Sequence, residues 1–551
     1  ADALLRVEAE EISHLLVPQF SNNLSEGVLT SHFLARGAPA SPGAASGTVC
    51  FDATKAAQLV ANGESVILVR PETKPDDIHG ITSAAGVVTS RGGVTSHAAV
   101  VTRGLGKPCI VGCEGIQVDL DAGLFVAKGQ TVCEGEYISI DGASGLVYLG
   151  ELDIIQPRVE DQPEARELLR WADETRTLGV MANADTPSDA MQALTMGAEG
   201  IGLCRTEHMF LDPERLPFVR HMLLNAEAAE SWRKDNNDRV FHVEKETNAP
   251  QGVRKFHEAL KQVKQLQTSD FIGILRVMGS RPVIIRLLDA PLHEFLPTYE
   301  VLLGELLELR HSKAPKAEID AKETFLNLVD SLRETNPMLG HRGCRLGLSF
   351  PNIYRMQVEA IITAGALLVK EGLHVNPEIM IPLTVDVEEM HRLREDLSMV
   401  ASQVQERHSA KVHYMFGTMI ETPRAALTAG EISKESEFFS FGTNDLTQMA
   451  FGFSRDDAEG KFLRTYIDEG VLPKDPFASI DIQGVGALVK MAVDAGRQER
   501  PNLEIGICGE HGGDPASVVF CHKIGLDYVS CSPFRVPVAR LAAAQAALTQ
   551  N

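Results

Sequence analysis

No stretch of the chain approaches the ~18 to 20 consecutive apolar residues that a membrane-spanning helix requires, and the first residues lack the basic-then-apolar pattern of a signal peptide. These absences predict a soluble chain that neither crosses a membrane nor is secreted. Positive charge is in short supply: 52 Lys and Arg stand against 75 Asp and Glu, a net charge of −23. The basic residues nowhere gather into the patch that would hold nucleic acid or an anionic membrane surface, so an anionic ligand would have to be gripped by a few local cations. Cysteine is sparse and scattered. Nine residues from Cys50 to Cys531 include no CxxC pair and no Cys/His set with zinc spacing, which argues for free thiols in a reducing compartment.

Length is what the chain does have, and 551 residues leave room for about three domains. Residues 1–35 begin with ADALLRVEAEEISHLL, an acidic amphipathic pattern without an initiator Met, and read as the end of a preceding region plus a linker. The Ser-, Gly- and Pro-rich stretch 21–47 reads as a connector followed by tight turns, with a boundary near residue 36. From 36 to 150, short β-rich runs (TVCF, SVILVR, AGVVT, CIVG, YISID, GLVYLG) alternate with glycine turns and predict a compact β/α domain. Residues 151–177 turn Pro-interrupted, charged and finally helical, as a linker helix would.

From 178 to 551, apolar runs ending in polar residues recur eight times: LGVMANAD, GIGLCRTE, PVIIRLLD, the region of NPMLGHRGCRLG, EIMIPLT, YMFGTMIET, FFSFGTND and EIGICGE. Eight strands alternating with helical pattern predict an α/β fold in which a closed parallel (β/α)8 TIM-type barrel follows the smaller domain. The polar, charged segment 231–267 reads as a surface excursion.

Reacting groups of such barrels sit at the carboxyl ends of the strands. Those ends carry Arg205 and Glu207, Arg286 and Asp289, Arg342, Glu421, Asn444 and Asp445, and Cys508 with Glu510 and His511. Arginine forks bind phosphate and carboxylate oxygens bidentately, so Arg205, Arg286 and Arg342 suggest a small substrate bearing both groups. Glu421 and Asp445 make a partial shell for Mg2+, which takes one or two protein carboxylates and completes its octahedron with substrate oxygens and water. Cys508, at the end of the last predicted strand, is either a buried structural thiol or a catalytic one.

In the smaller domain, GGVTSHAA (92–99) sets His97 between a tight glycine turn and a short helical run, with Thr95 or Ser96 as N-cap. A helix N-terminus keeps an imidazole neutral and stabilises an attached anion. Local sequence leaves two readings of His97 open, a nucleophile or a mere cap.

GGVTSHAAVVTRGLGKPCIVG, GTMIETPRAAL, FFSFGTNDLTQMAFGFSRDD and ICGEHGGDPASVVFCHKIGLDYVS resemble the signatures of the phosphoenolpyruvate-utilising enzymes, and GLCRTEHMF, RLLDAPLHEFLP and NPMLGHRGCRLG resemble the dikinase branch of that family. The resemblance implies a swivelling phosphohistidine domain ahead of the barrel. It implies that His97 carries the phosphoryl group and that Cys508 exchanges a proton with the pyruvate methyl. Arg205, Arg286 and Arg342 would hold phosphoenolpyruvate, Gly442, Thr443 and Asn444 would contact it, Arg455 would be a further phosphate contact, and Glu421 and Asp445 would ligate Mg2+. Thr95 matches a position phosphorylated by a regulatory protein in plant members. A homodimer through the barrel is implied, as is docking of the histidine domain on the barrel mouth. The family's full reaction converts ATP, phosphate and pyruvate to AMP, pyrophosphate and phosphoenolpyruvate by means of a nucleotide-binding domain. The sequence contains no GxxxxGK[ST] and no segment matching that domain, so the expectation is the half-reaction between phosphohistidine and pyruvate. The alternatives are a phosphoenolpyruvate synthase, an enzyme I-like phosphotransferase, or a non-catalytic phosphocarrier that binds phosphoenolpyruvate.

Overall fold

The computed structural model describes residues 2–21, 24–73, 77–93, 96, 98–99, 102, 106–155, 157, 161–210, 212, 214–236, 249–290, 295–334 and 336–549. The chain divides into two compact units, one of residues 1–171 and 456–469, the other of residues 172–455 and 470–551.

The first unit is built on an eight-stranded sheet. In spatial order its strands are Phe33–Arg36, Leu146–Leu149, Tyr137–Asp141, Ala44–Cys50, Val66–Arg70, Gly86–Thr89, Cys109–Val111 and Ala38–Ser41. The four strands from Ala44–Cys50 to Cys109–Val111 run parallel, and Val66 to Val69 are all fully buried, as strands covered on both faces must be. Alternation assigns the two faces: Ile67, Val69 and Val88 join one core, and Val66, Leu68 and Val87 the other. The crossover between Gly86–Thr89 and Cys109–Val111 contains the GGVTSHAA stretch. All six predicted β runs of this region are strands. The stretch read as a connector is more structured than expected, because it holds the helix Glu26–His32, two whole strands and the start of a third. Its Ala38–Ser41 strand gains its hydrogen bonds from Cys109–Val111, about seventy residues away, a pairing that local composition does not encode.

The second unit is a closed barrel of eight parallel strands: β1 (Gly179–Asn183), β2 (Ile201–Arg205), β3 (Pro282–Arg286), β4 (Asn376–Ile381), β5 (Met415–Ile420), β6 (Phe438–Phe441), β7 (Glu504–Ile507) and β8 (Tyr528–Cys531). Pairing of β1 with β8 closes it. Met181, Leu203, Ile284, Met380, Met419, Phe438, Cys508 and Tyr528 come from all eight strands or their ends and form one cluster, so they fill the interior. Positions two residues away share that inward face. At the carboxyl ends these are Asn183, Arg205 and Arg286; at the opposite end, the floor, they are Glu378 and, four residues before Cys508 and so on the same face, Glu504.

Three expectations are corrected within this unit. NPMLGHRGCRLG is not a strand: it forms a 3-10 turn at Pro337–Leu339 and a helix at Cys344–Ser349 in the connection between β3 and β4. The eighth strand is Tyr528–Cys531, so Cys508 ends the seventh strand rather than the last. The segment 231–267 is not a surface excursion either. Helices Leu216–Asp235 and Gln251–Met278 occupy most of it, and Val253, Phe256, Leu260, Val263, Gln267, Phe271, Ile274 and Met278 form a buried stripe at three- and four-residue spacing. Residues 237–248 lie outside the described residues. No helix among the described residues is long and apolar enough to cross a membrane.

Candidate active site

The strand ends deliver the predicted groups to one mouth. Arg205 and Arg286 are the last residues of β2 and β3, Glu421 directly follows β5, and Cys508 directly follows β7. Gly442 follows β6, and Thr443, Asn444 and Asp445 open the helix Thr443–Phe451. Arg342 arrives from the β3–β4 connection just before the helix Cys344–Ser349.

Asp289 organises the arginines. It is 1% exposed; its Oδ2 lies 3.0 Å from Arg286 Nη1, and it accepts from Arg342 Nη2 at 2.6 Å and Nε at 3.1 Å. Burial pushes the Asp289 carboxyl up, but Arg286 and Arg342 more than offset that and hold it below the usual range. Arg286 also pairs with Glu207. Arg205 differs: its backbone N–H donates to Asp185 at 2.6 Å, while its guanidinium has no hydrogen bond or ion pair among the described residues. Two of the three arginines are thus held in a fixed pose, and the third is available to an incoming anion.

Glu421 is fully buried. Its Oε1 accepts from Leu383 N at 2.7 Å, and its Oε2 is buried with no partner among the described residues. Burial, then Asp445, then Asp289 push its carboxyl well above the usual range, against the pull of Arg286 and Arg342. Asp445 is pushed up by burial too, despite its contact with Arg342 Nη1 at 3.2 Å. Gly442 is required here, since a Cβ on it would stand 2.6 Å from Glu421 Oε2. Among the described residues no set of three or more His, Cys, Asp or Glu could by itself hold a metal ion. A hard divalent ion needing one or two carboxylates fits nonetheless, because Glu421 offers a free oxygen and the acids are short of positive charge. Thr443 Oγ1 and Asn444 Oδ1, both buried and without partners among the described residues, add further polar atoms to this mouth.

Cys508 is 2% exposed, with its thiol 3.6 Å from the Phe441 carbonyl. Burial pushes it up to about 11, with Arg286 and Arg205 pulling down and Glu421 pushing up, so it is a thiol at neutral pH until substrate changes its surroundings. Two hydroxyls missed by reading strand ends alone lie in the same interior. Ser440 and Tyr528 are buried, and Ser440 stands beside both the Cys508 thiol and the Tyr528 hydroxyl without an aligned hydrogen bond to either. Pairing sets Ser440 opposite Gly506, and Gly506 opposite Tyr528. The Tyr528 ring crosses the space that a side chain at Gly506 would fill, since a Cβ there would lie 2.1 Å from its Cζ. Ser440 counteracts the burial-driven rise at both Cys508 and Tyr528. The sequence signal was the two-residue alternation through FSFG and DYVS, once these are recognised as barrel strands.

The remaining predicted residues are placed differently. Arg455 pairs with Glu510 at 2.7 Å and lies over the Phe477 ring at 5.6 Å, and no bond or ion pair among the described residues joins it to the Asp289 group. His511 is buried and donates from Nε2 to the Pro476 carbonyl at 2.9 Å. His97 and Thr95 lie outside the described residues. Next to them, Ala98, Ala99 and Thr102 are helical, and Thr102 Oγ1 donates to Ala98 O at 2.6 Å. The Ser96 hydroxyl is buried with no partner among the described residues, so Ser96 is not the cap that the sequence allowed.

Two family models match the chain: "PEP-utilising enzyme, PEP-binding domain" over residues 159–548 and "PEP-utilising enzyme, mobile domain" over residues 62–145. A pyruvate, phosphate dikinase of Entamoeba histolytica is 47% identical over 545 residues, covering 99% of this chain and 58% of that protein. One of Clostridium symbiosum is 48% identical over 552 residues, covering 100% and 59%. A chloroplastic one of Flaveria bidentis is 48% identical over 544 residues, covering 98% and 53%. The chain thus spans between half and three-fifths of the length of these curated relatives.

Proposed function

This chain belongs to the phosphoenolpyruvate-utilising enzyme family, and on that premise we propose that its barrel mouth binds phosphoenolpyruvate and pyruvate and exchanges a phosphoryl group between them and His97. The observation that carries this reading is the convergence of Arg205, Arg286, Arg342, Glu421, Asp445 and Cys508 on one end of one barrel. In the whole protein the reaction would be that of a pyruvate, phosphate dikinase, and the residues named here serve the half between phosphohistidine and pyruvate. A homodimer through the barrel and work in the cytoplasm or an organelle matrix belong to the same proposal.

The free guanidinium of Arg205 takes a carboxylate or phosphate oxygen, while Arg286 and Arg342, fixed by Asp289, present their remaining N–H groups to the other. Gly442, Thr443 and Asn444 line the approach, with Arg455 as an outer contact for phosphate. Glu421 and Asp445 would hold Mg2+, which supplies positive charge for the enolate oxygen when bound. Cys508, deprotonated with substrate in place, takes a methyl proton of pyruvate: the C–H bond breaks and an S–H bond forms. The enolate oxygen then attacks the phosphorus on His97, forming a P–O bond as the P–N bond breaks. In reverse, Cys508 returns the proton to the enolate carbon.

Exchange of pyruvate methyl protons with deuterated solvent, followed by NMR in the presence of Mg2+, tests the reading. Cys508→Ala should slow it by about 10³-fold, within the usual range for a positioned acid or base. Exchange that survives this substitution unchanged would remove Cys508 from the chemistry. A chain that binds phosphoenolpyruvate but catalyses no exchange would be a binder only.

A further inference from the structure

Beneath the mouth, the barrel holds a second buried acid that the transfer chemistry does not use. Glu378, in β4, is 1% exposed and stands two residues below Met380, on the inward face. Its Oε1 accepts from Asn376 Nδ2 at 3.3 Å, and its Oε2 is buried without a partner among the described residues. Asn376 Oδ1 in turn lies 3.3 Å from Nδ1 of the exposed His413, so the floor has a polar connection to solvent.

The charges acting on Glu378 are those of Glu504, from β7, and Glu437, just before β6, and none of them is positive. Burial first, then these acids, push its carboxyl up to about 8, so it is a protonated acid at neutral pH. Glu504 is pushed up by burial as well, with Asp527 adding to it. Above this pair stands Tyr528, on whose hydroxyl Cys508, Glu504 and Glu378 all act. Buried polar atoms without protein partners, here Glu378 Oε2, Tyr528 Oη and Ser440 Oγ, call for bridging water. They share the interior between the floor and Cys508.

We propose that Glu378 is the proton store of this site, returning to Cys508, by way of Tyr528 and Ser440, the proton that Cys508 gives to the enolate. This rests on Cys508 being the acid/base. The step balances: a thiolate and a carboxylic acid become a thiol and a carboxylate, an O–H bond breaking at Glu378 and an S–H bond forming at Cys508, with Ser440 and Tyr528 each passing one proton and keeping one. The carboxylate regains its proton from solvent on the Asn376 and His413 side. Once product has left the mouth, transfer runs downhill, because Cys508, pushed up to about 11, then holds a proton more tightly than Glu378, pushed up to about 8. Glu378 does not touch substrate, so it is a positioning residue for the proton.

The test compares Glu378→Gln and Glu378→Asp with the unsubstituted chain. At pH 7 the protonated-carboxyl infrared absorption should lose one component in Glu378→Gln. Methyl-proton exchange in Glu378→Gln should fall by about tenfold, at the low side of what proton-transfer groups contribute, and lose its dependence on pH near 8. Phosphoenolpyruvate affinity should stay the same, and Glu378→Asp should restore part of the rate. If exchange by Glu378→Gln keeps its rate and pH profile while Cys508→Ala abolishes it, the store is refuted and Cys508 stands. If Cys508→Ala itself leaves exchange intact, the function proposed above fails first.

Discussion

Glu421 at the mouth and Glu378 at the floor are nearly matched: each lies inside the same barrel, with Oε1 held by one N–H donor and Oε2 without a partner among the described residues. Their surroundings differ in the sign of the neighbouring charge. Two arginines and two aspartates act on Glu421, whereas the charges acting on Glu378 are those of carboxylates. Both carboxyls are pushed above the usual range, but a free oxygen amid arginines and acids can exchange its proton for a metal or a charged substrate, while one amid acids alone keeps it. The same residue type in the same barrel is thereby given two jobs by its neighbours.

Asp289→Asn should break the comparison most severely, by leaving Arg286 and Arg342 buried without their shared counter-charge. Loss of one partner of a buried pair costs about 3–5 kcal/mol, readable by urea unfolding, and a loss under about 1 kcal/mol would mean that the mouth is solvated and Glu421 is not starved of cations. Gly442→Ala comes next. Its methyl group would press on Glu421 Oε2, costing about 1–3 kcal/mol of overpacking and weakening Mg2+ binding in a calorimetric titration; unaltered Mg2+ affinity would take Glu421 out of the metal shell.

At the floor, the effect appears in the pH dependence. The folded carboxyl of Glu378 titrates near 8 rather than at its ordinary 4.5, so its protonated form contributes stability that is complete below pH 4.5 and is lost as pH rises to about 8. Glu378→Gln should flatten the stability profile across that window, and a profile as steep as before would assign the proton elsewhere. The smallest change in stability belongs to Arg205→Met, within about 0.5 kcal/mol because its guanidinium has no partner to lose among the described residues. Phosphoenolpyruvate affinity should nevertheless fall sharply in equilibrium dialysis, and retained affinity would show that Arg205 is not the free anchor.

Much of the mouth was legible because its residues end apolar runs and are followed by polar ones, as in PVIIRLLD and YMFGTMIET. The misreadings have physical causes. NPMLGHRGCRLG delivers Arg342 from a turn and a short helix, and the presence of one more polar group in series made it look like a strand end. Tyr528–Cys531 escaped notice because four residues following a helix and a glycine carry little period-two signal; its membership comes from pairing with Gly179–Asn183 and Glu504–Ile507, far away in sequence. In Gln251–Met278 the charges on the outer face hid the apolar stripe. The floor was unreadable, because nothing in EIMIPLT says whether its glutamate points into the barrel or out, and only closure of the sheet decides that.

Transfer of label from phosphoenolpyruvate carrying a labelled phosphoryl group is the most direct measurement. Mixed with the chain and Mg2+, it should leave label on His97, and unlabelled pyruvate should then remove that label as phosphoenolpyruvate, with His97→Ala taking up none. Phosphoenolpyruvate that binds without labelling His97, or label that pyruvate cannot remove, would contradict phosphoryl exchange as the work of this barrel.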